Sequence, residues 1–130
     1  VIEVFGFLAA FVGILSAIRY QAVCSALADS LPSQFQDGLS SRFAAPVYAL
    51  HSSTPLKLQA DFVKSLAGGG VAMACFALSC YFGGRLDGAL LASAGAVAIA
   101  YSAIKSWMTY RDNCHRALAT TSGTRDDGGA

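Results

Sequence analysis

The groups able to do chemistry are few and widely spaced. Cysteines stand at 24, 75, 80 and 114, and histidines at 51 and 115. The cysteine spacings match neither a paired CxxC nor a compact secreted disulfide framework. Cys24, His51 and the neighbours Cys114 and His115 are the metal-capable groups outside the apolar stretches, and nothing in their spacing requires a shared ion. Adjacent positions on a helix point apart, so Cys114 and His115 are not expected to work as a thiol–imidazole pair. Cys75 and Cys80 fall in an apolar run, where free cysteine serves as a small apolar side chain. Ser79, Ser93, Tyr101 and Ser102 could line a polar path, but such serines can also bond a carbonyl one turn back. No phosphate-cradling loop and no paired carboxylates occur. The residue types therefore predict neither an enzyme nor a metal or other cofactor.

The elements that carry these residues are apolar. The chain has 130 residues, enough for one domain, with 55% hydrophobic and only 13% charged residues. That charged share is about half of the usual one for a soluble domain. A small water-soluble protein needs a large polar surface, which this composition does not supply; lipid as the outer solvent removes the need. A net charge of +1 provides no field to attract nucleic acid.

Three stretches are predicted to cross a bilayer: about 1–18, 62–83 and 87–108. The first is apolar apart from Glu3 and Ser16, and is closed by Arg19 and Tyr20. It has no basic leading region or small-x-small cleavage site, and Gln21-Ala22-Val23-Cys24 is a poor lipoprotein signal, so it is expected to be a retained anchor. Val1 is expected to follow a trimmed methionine, with a trimmed precursor as the alternative. From Tyr20 to Leu31 apolar residues recur at three and four, which predicts an amphipathic helix that either continues the first or lies along the surface. Pro32 marks its boundary. Residues 32–54 are expected to be loop with one short helix. Thr54 is the expected N-cap, with Pro55 in the first turn, of a helix over 55–83 about 43 Å long. Residues 83–88 form a glycine-rich turn. The third helix is expected to run to about 118, with 119–130 a disordered tail. The expected architecture is thus an all-α integral membrane protein, a single domain over 1–118 that includes a cytoplasmic segment, 19–61.

Topology follows from the basic residues. Eight of nine (Arg19, Arg42, Lys57, Lys64, Lys105, Arg111, Arg116, Arg125) fall on one side of such a three-span layout, and Arg85 on the other. The bias places the N-terminus outside and the C-terminus in the cytoplasm of a bacterial inner membrane. Arg19, Tyr20, Lys57, Lys64, Lys105, Trp107, Tyr110 and Arg111 are the expected interface anchors and contacts for lipid head groups.

Small residues recur in register on all three spans: Ala9, Gly13 and Ala17; Gly70 and Ala74; Gly88, Ala92, Ala96 and Ala100. Such rows let helix backbones approach closely, either within the chain or against a partner. Gly68, Gly69 and Gly70 stand together where the second span enters the membrane, and close approach of another helix is expected there. No charged residue lies mid-span, which argues against a pump or proton-coupled transporter. The leading expectation is a non-enzymatic accessory or structural subunit of a larger membrane complex, in contact with lipid and with other integral membrane subunits or further copies of itself. The alternatives are a self-assembling pore and a small channel for a neutral solute. No family motif is matched. The anchor ending in Arg19 and Tyr20 before an amphipathic helix resembles small bacterial stress-related membrane proteins. The three-span layout resembles one holin class, from which the long segment between the first two spans departs.

Overall fold

The computed structural model describes residues 1–126, and its elements are helical throughout: α1 (Ile2–Ala28), a 3-10 turn (Ser33–Phe35), α2 (Ser40–Tyr48), α3 (Leu56–Phe82) and α4 (Leu86–Asp126). Helices α1, α3 and α4 are each long and apolar enough to cross a membrane. At 1.5 Å per residue, α1 and α3 run about 40 Å and α4 about 61 Å, against a hydrocarbon core of about 30 Å. Large apolar side chains point outward, among them Phe7, Phe11 and Ile14 on α1, Val71 and Phe76 on α3, and Leu90, Leu91 and Val97 on α4. Over 2–19 of α1, 65–82 of α3 and 86–123 of α4 the buried positions are small: Ala9, Ser16, Ser65, Ala72, Ala77, Ala89, Ala92 and Ser106. Water would penalise that inversion, whereas lipid favours it, because helices in a bilayer associate by close backbone packing. The chain is a multi-pass helical membrane protein.

The arrangement is an open row. α3 packs antiparallel to α1 on one side and to α4 on the other, while α1 and α4 do not pack on each other among the described residues. Glycines mark both contacts. A Cβ added at Gly13 would lie 3.6 Å from that of Ala72, and one at Gly6 3.5 Å from the Ser79 hydroxyl. On the α4 side, a Cβ at Gly70 would meet Ile99 at 3.5 Å, and one at Gly88 would meet Cys80 at 3.2 Å. The end of the α1–α3 pair nearest the N-terminus is fastened by the Ser79 hydroxyl, which donates to the Ile2 carbonyl at 3.2 Å, and by stacked Phe5 and Phe82 rings 5.9 Å apart.

The α3–α4 turn has a local cause. Gly84 adopts φ +73°, a left-handed conformation open to glycine at no steric cost. The amides of Arg85 and Gly84 then donate back to Cys80 O and Tyr81 O, closing a Schellman motif. At the opposite end a different core forms. Val23, Leu27, Ala49 and Phe62 are buried together, flanked by Tyr20, Leu50, Leu58 and Leu66. It joins the end of α1 to the residues after α2 and the start of α3.

Three boundaries differ from those expected. The helix after Tyr20 continues α1 without a break, but it stops at Ala28 rather than Leu31, the amide of Ser30 turning back to Leu27 O. Thr54 does not cap α3: Pro55 holds the N-cap position, and the Thr54 hydroxyl donates to Tyr48 O at 2.8 Å. The predicted disordered tail over 119–130 is helical as far as Asp126, since no proline interrupts α4, and there the hydroxyls of Thr120 and Thr121 donate to the Arg116 and Ala117 carbonyls. Residues 127–130, the rest of that expected tail, lie outside the described residues.

Gly68 is the tightest point of the α1–α3 contact. A Cβ there would collide with the Ser16 hydroxyl and lie 3.3 Å from the Ser16 Cβ. Gly68→Leu is therefore expected to destabilise the chain in mild detergent by about 1–3 kcal/mol, the usual cost of overpacking. Gly95→Ala should cost less, since the nearest atom is the mobile end of Met73 at 2.7 Å. Thermal unfolding of the two variants side by side measures the difference.

Candidate functional site

Because α1 and α4 stand apart, one face of α3 forms the floor of a cavity of about 720 Å³. Its long wall is α1, from Gly13 through Ser16, Ala17, Tyr20, Gln21, Cys24 and Ser25 to Ala28. The floor is Ser65, Leu66 and Gly69 of α3, and the far side is Ile99 of α4. Gly38, Ser41 and Arg42 close the end nearest α2. The volume lies in the range of small-molecule sites. Chemistry changes along its length: Gly13, Ala17, Gly69 and Ile99 make one end mainly apolar, with the Ser16 hydroxyl against Gly68, while Gln21, Ser25, Ser41 and Arg42 make the other more polar, alongside Cys24 and Ala28.

A separate buried polar cluster holds the turn between α2 and α3. The Gln59 side chain has no exposed surface. Its Nε2 donates to Thr54 O at 2.8 Å and His51 O at 3.3 Å, and its Oε1 accepts from Asn113 Nδ2 at 2.8 Å. Asn113 Nδ2 also donates to Leu50 O at 3.1 Å. One residue from α4 and one from α3 thereby hold the turn between α2 and α3 in place. Every buried polar side-chain atom among the described residues has a partner, which a water-side core requires.

The sequence-predicted residues separate into groups. Gly88, Ala92 and Ala96 turn toward α3, Ala92 being only 3% exposed, so this row is used within the chain. Ala100 is exposed, though its backbone nitrogen lies 3.9 Å from a Cβ built at Gly70. Ala9 is buried and Gly13 packs on Ala72, but Ala17 on the same row is exposed in the cavity wall. Ala74 is exposed on α3. Of the anchors, Arg19, Lys57, Lys64, Lys105 and Arg111 are exposed, Tyr20 packs on Phe62 with ring centroids 6.0 Å apart, and Trp107 and Tyr110 pair at 5.6 Å. Cys24, Cys75, Cys80 and Cys114 are free thiols, all half-buried. No group of three metal-capable side chains comes together among the described residues. His51 Nδ1 instead faces the Ser53 hydroxyl at 2.7 Å and accepts from the Ser53 amide.

Sequence reasoning did not single out Arg42, Gln59 or Asn113 as site residues. Gln59 and Asn113 are 54 positions apart, and no periodicity links them. One available signal was an uncharged amide on the apolar side of α3, one position after Leu58. No family model matches this chain, and no curated protein or solved structure matches it either.

Asn113→Leu removes both donors and strands Gln59 Oε1 and Leu50 O. The expected loss is about 1–3 kcal/mol per buried group left unpaired. It should appear as faster amide hydrogen exchange over 49–60, with the 66–104 region unchanged.

Proposed function

We propose that this chain is a non-enzymatic accessory or structural subunit of a larger complex in a bacterial inner membrane. The observation that carries the proposal is the apolar surface that the helices leave exposed. Past Asn113, whose amide fastens α4 to the rest of the chain, every residue over 115–123 is exposed, including Leu118 at 68%. The open row adds to this, since α1 and α4 each keep an uncovered apolar flank.

In this reading the N-terminus lies outside and the C-terminus, with the segment between α1 and α3, in the cytoplasm. The support is the asymmetry of basic residues. A variant keeping only Cys114 should react with a membrane-impermeant maleimide in inverted vesicles and not in intact cells. Labelling in intact cells would reverse the orientation.

The subunit reading is tested by extraction in mild detergent and native-gel mass determination. The chain is expected to migrate with a fixed set of larger proteins, and a chain ending at Cys114 to insert in the membrane but leave that set. A ladder of this chain alone would replace the subunit reading with the self-assembling pore.

A further inference from the structure

We propose that the cavity between α1 and α4 is a binding site for one anionic phospholipid, its head group on Arg42 and an acyl chain over Gly69. Three observations converge on this ligand. The first is access. Among the described residues the backbones of α1 and α4 do not come together, so the cavity opens sideways from the floor of α3, in the direction from which lipid arrives. The second is polarity. The wall from Gly13 to Ala28 extends about 22 Å along α1, mainly apolar at the Gly13, Ala17 and Ile99 end and more polar at the Gln21, Ser25 and Ser41 end. The change falls close to Arg19 and Tyr20, the pair that marks the membrane boundary on α1. A lipid has that same order of chemistry in that same direction.

The third observation is charge. Arg42 is the one charged residue in the lining, and no carboxylate accompanies it. Its guanidinium makes no ion pair or hydrogen bond within the described residues. A planar cation with several donors suits a phosphate oxygen at close range. Arg42 is exposed, as Lys64, Lys105 and Arg111 are, but unlike them it lines the cavity. The site thus discriminates by head-group charge, while the apolar end accepts any acyl chain.

Native mass spectrometry of the full chain in a nonionic detergent tests this, with dioleoyl phosphatidylglycerol and dioleoyl phosphatidylcholine as the two probes. The wild type should hold one phosphatidylglycerol per chain, preferred over phosphatidylcholine by roughly fivefold, the ratio that one basic contact at an anionic surface supplies. Arg42→Gln should abolish the preference, Arg42→Lys should keep most of it, and Arg111→Gln should leave it unchanged. Ala17→Phe occupies the apolar end from an exposed position and should weaken binding of both lipids. Equal binding of the two lipids to the wild type would overturn the proposal. So would an Arg111→Gln effect as large as that of Arg42→Gln, which would assign the preference to general surface charge. A change of oligomeric mass in Ala17→Phe without loss of lipid would assign the cavity to a second copy of the chain.

Discussion

The fold depends on one helix having two close neighbours. In a bilayer, water does not drive helices together, so α3 can hold both α1 and α4 only if its backbone comes near each of theirs. Successive residues on a helix are about 100° apart, so positions i and i+2 lie on nearly opposite faces. The glycine triplet uses this geometry. Gly68 faces Ser16 of α1, and two residues later Gly70 faces Ile99 and Ala100 of α4. Three helical glycines cost roughly 2–3 kcal/mol against alanine, and close approach on two sides at one level is what offsets that. The cavity follows from the same constraint: with α3 between them, α1 and α4 are held too far apart to close the space above Gly69.

At the end of the row nearest α2 the chain is held by different forces. There Val23, Leu27, Ala49 and Phe62 form a core of ordinary size and composition, driven by removal of apolar surface from water. The backbone that encloses it is a turn rather than a helix, so its carbonyls need partners that a helix would have supplied internally. Gln59, Thr54 and Asn113 supply them. Two regimes thus meet near Tyr20: small residues and backbone proximity on one side, large apolar residues and satisfied amides on the other. Arg42 lines the end of the cavity nearest α2, and the cavity reaches from there to Gly13 and Ile99 among the small residues.

How much of this was legible depends on whether the cause was local. Charge-free runs over 66–82 and 88–104 announce their helices directly, and the glycines at 83 and 84 announce the turn between them. The small-residue rows are visible too, but their partner is not: a row of alanines on α4 says that something packs there, and the structure shows that for Gly88, Ala92 and Ala96 it is α3. Thr54 shows the limit of local rules. Its sequence context suits an N-cap, yet the Tyr48 carbonyl, brought near by the turn, takes its hydroxyl. Gln59, Asn113 and the cavity around Arg42 depend on chain pairing across many residues, which no spacing in the sequence encodes.

The central claim is the open row with α3 in the middle. Intramolecular disulfide formation on a cysteine-free background tests it most directly, with cysteine pairs placed at 6 and 79, at 80 and 88, and at 13 and 96. The row predicts rapid cross-linking of the first pair, which joins α1 to α3, and of the second, which joins α3 to α4, with none within a single chain for the third. Equally efficient cross-linking between 13 and 96 in the monomer would show α1 and α4 in contact, and would replace the row with a closed three-helix bundle that has no cavity.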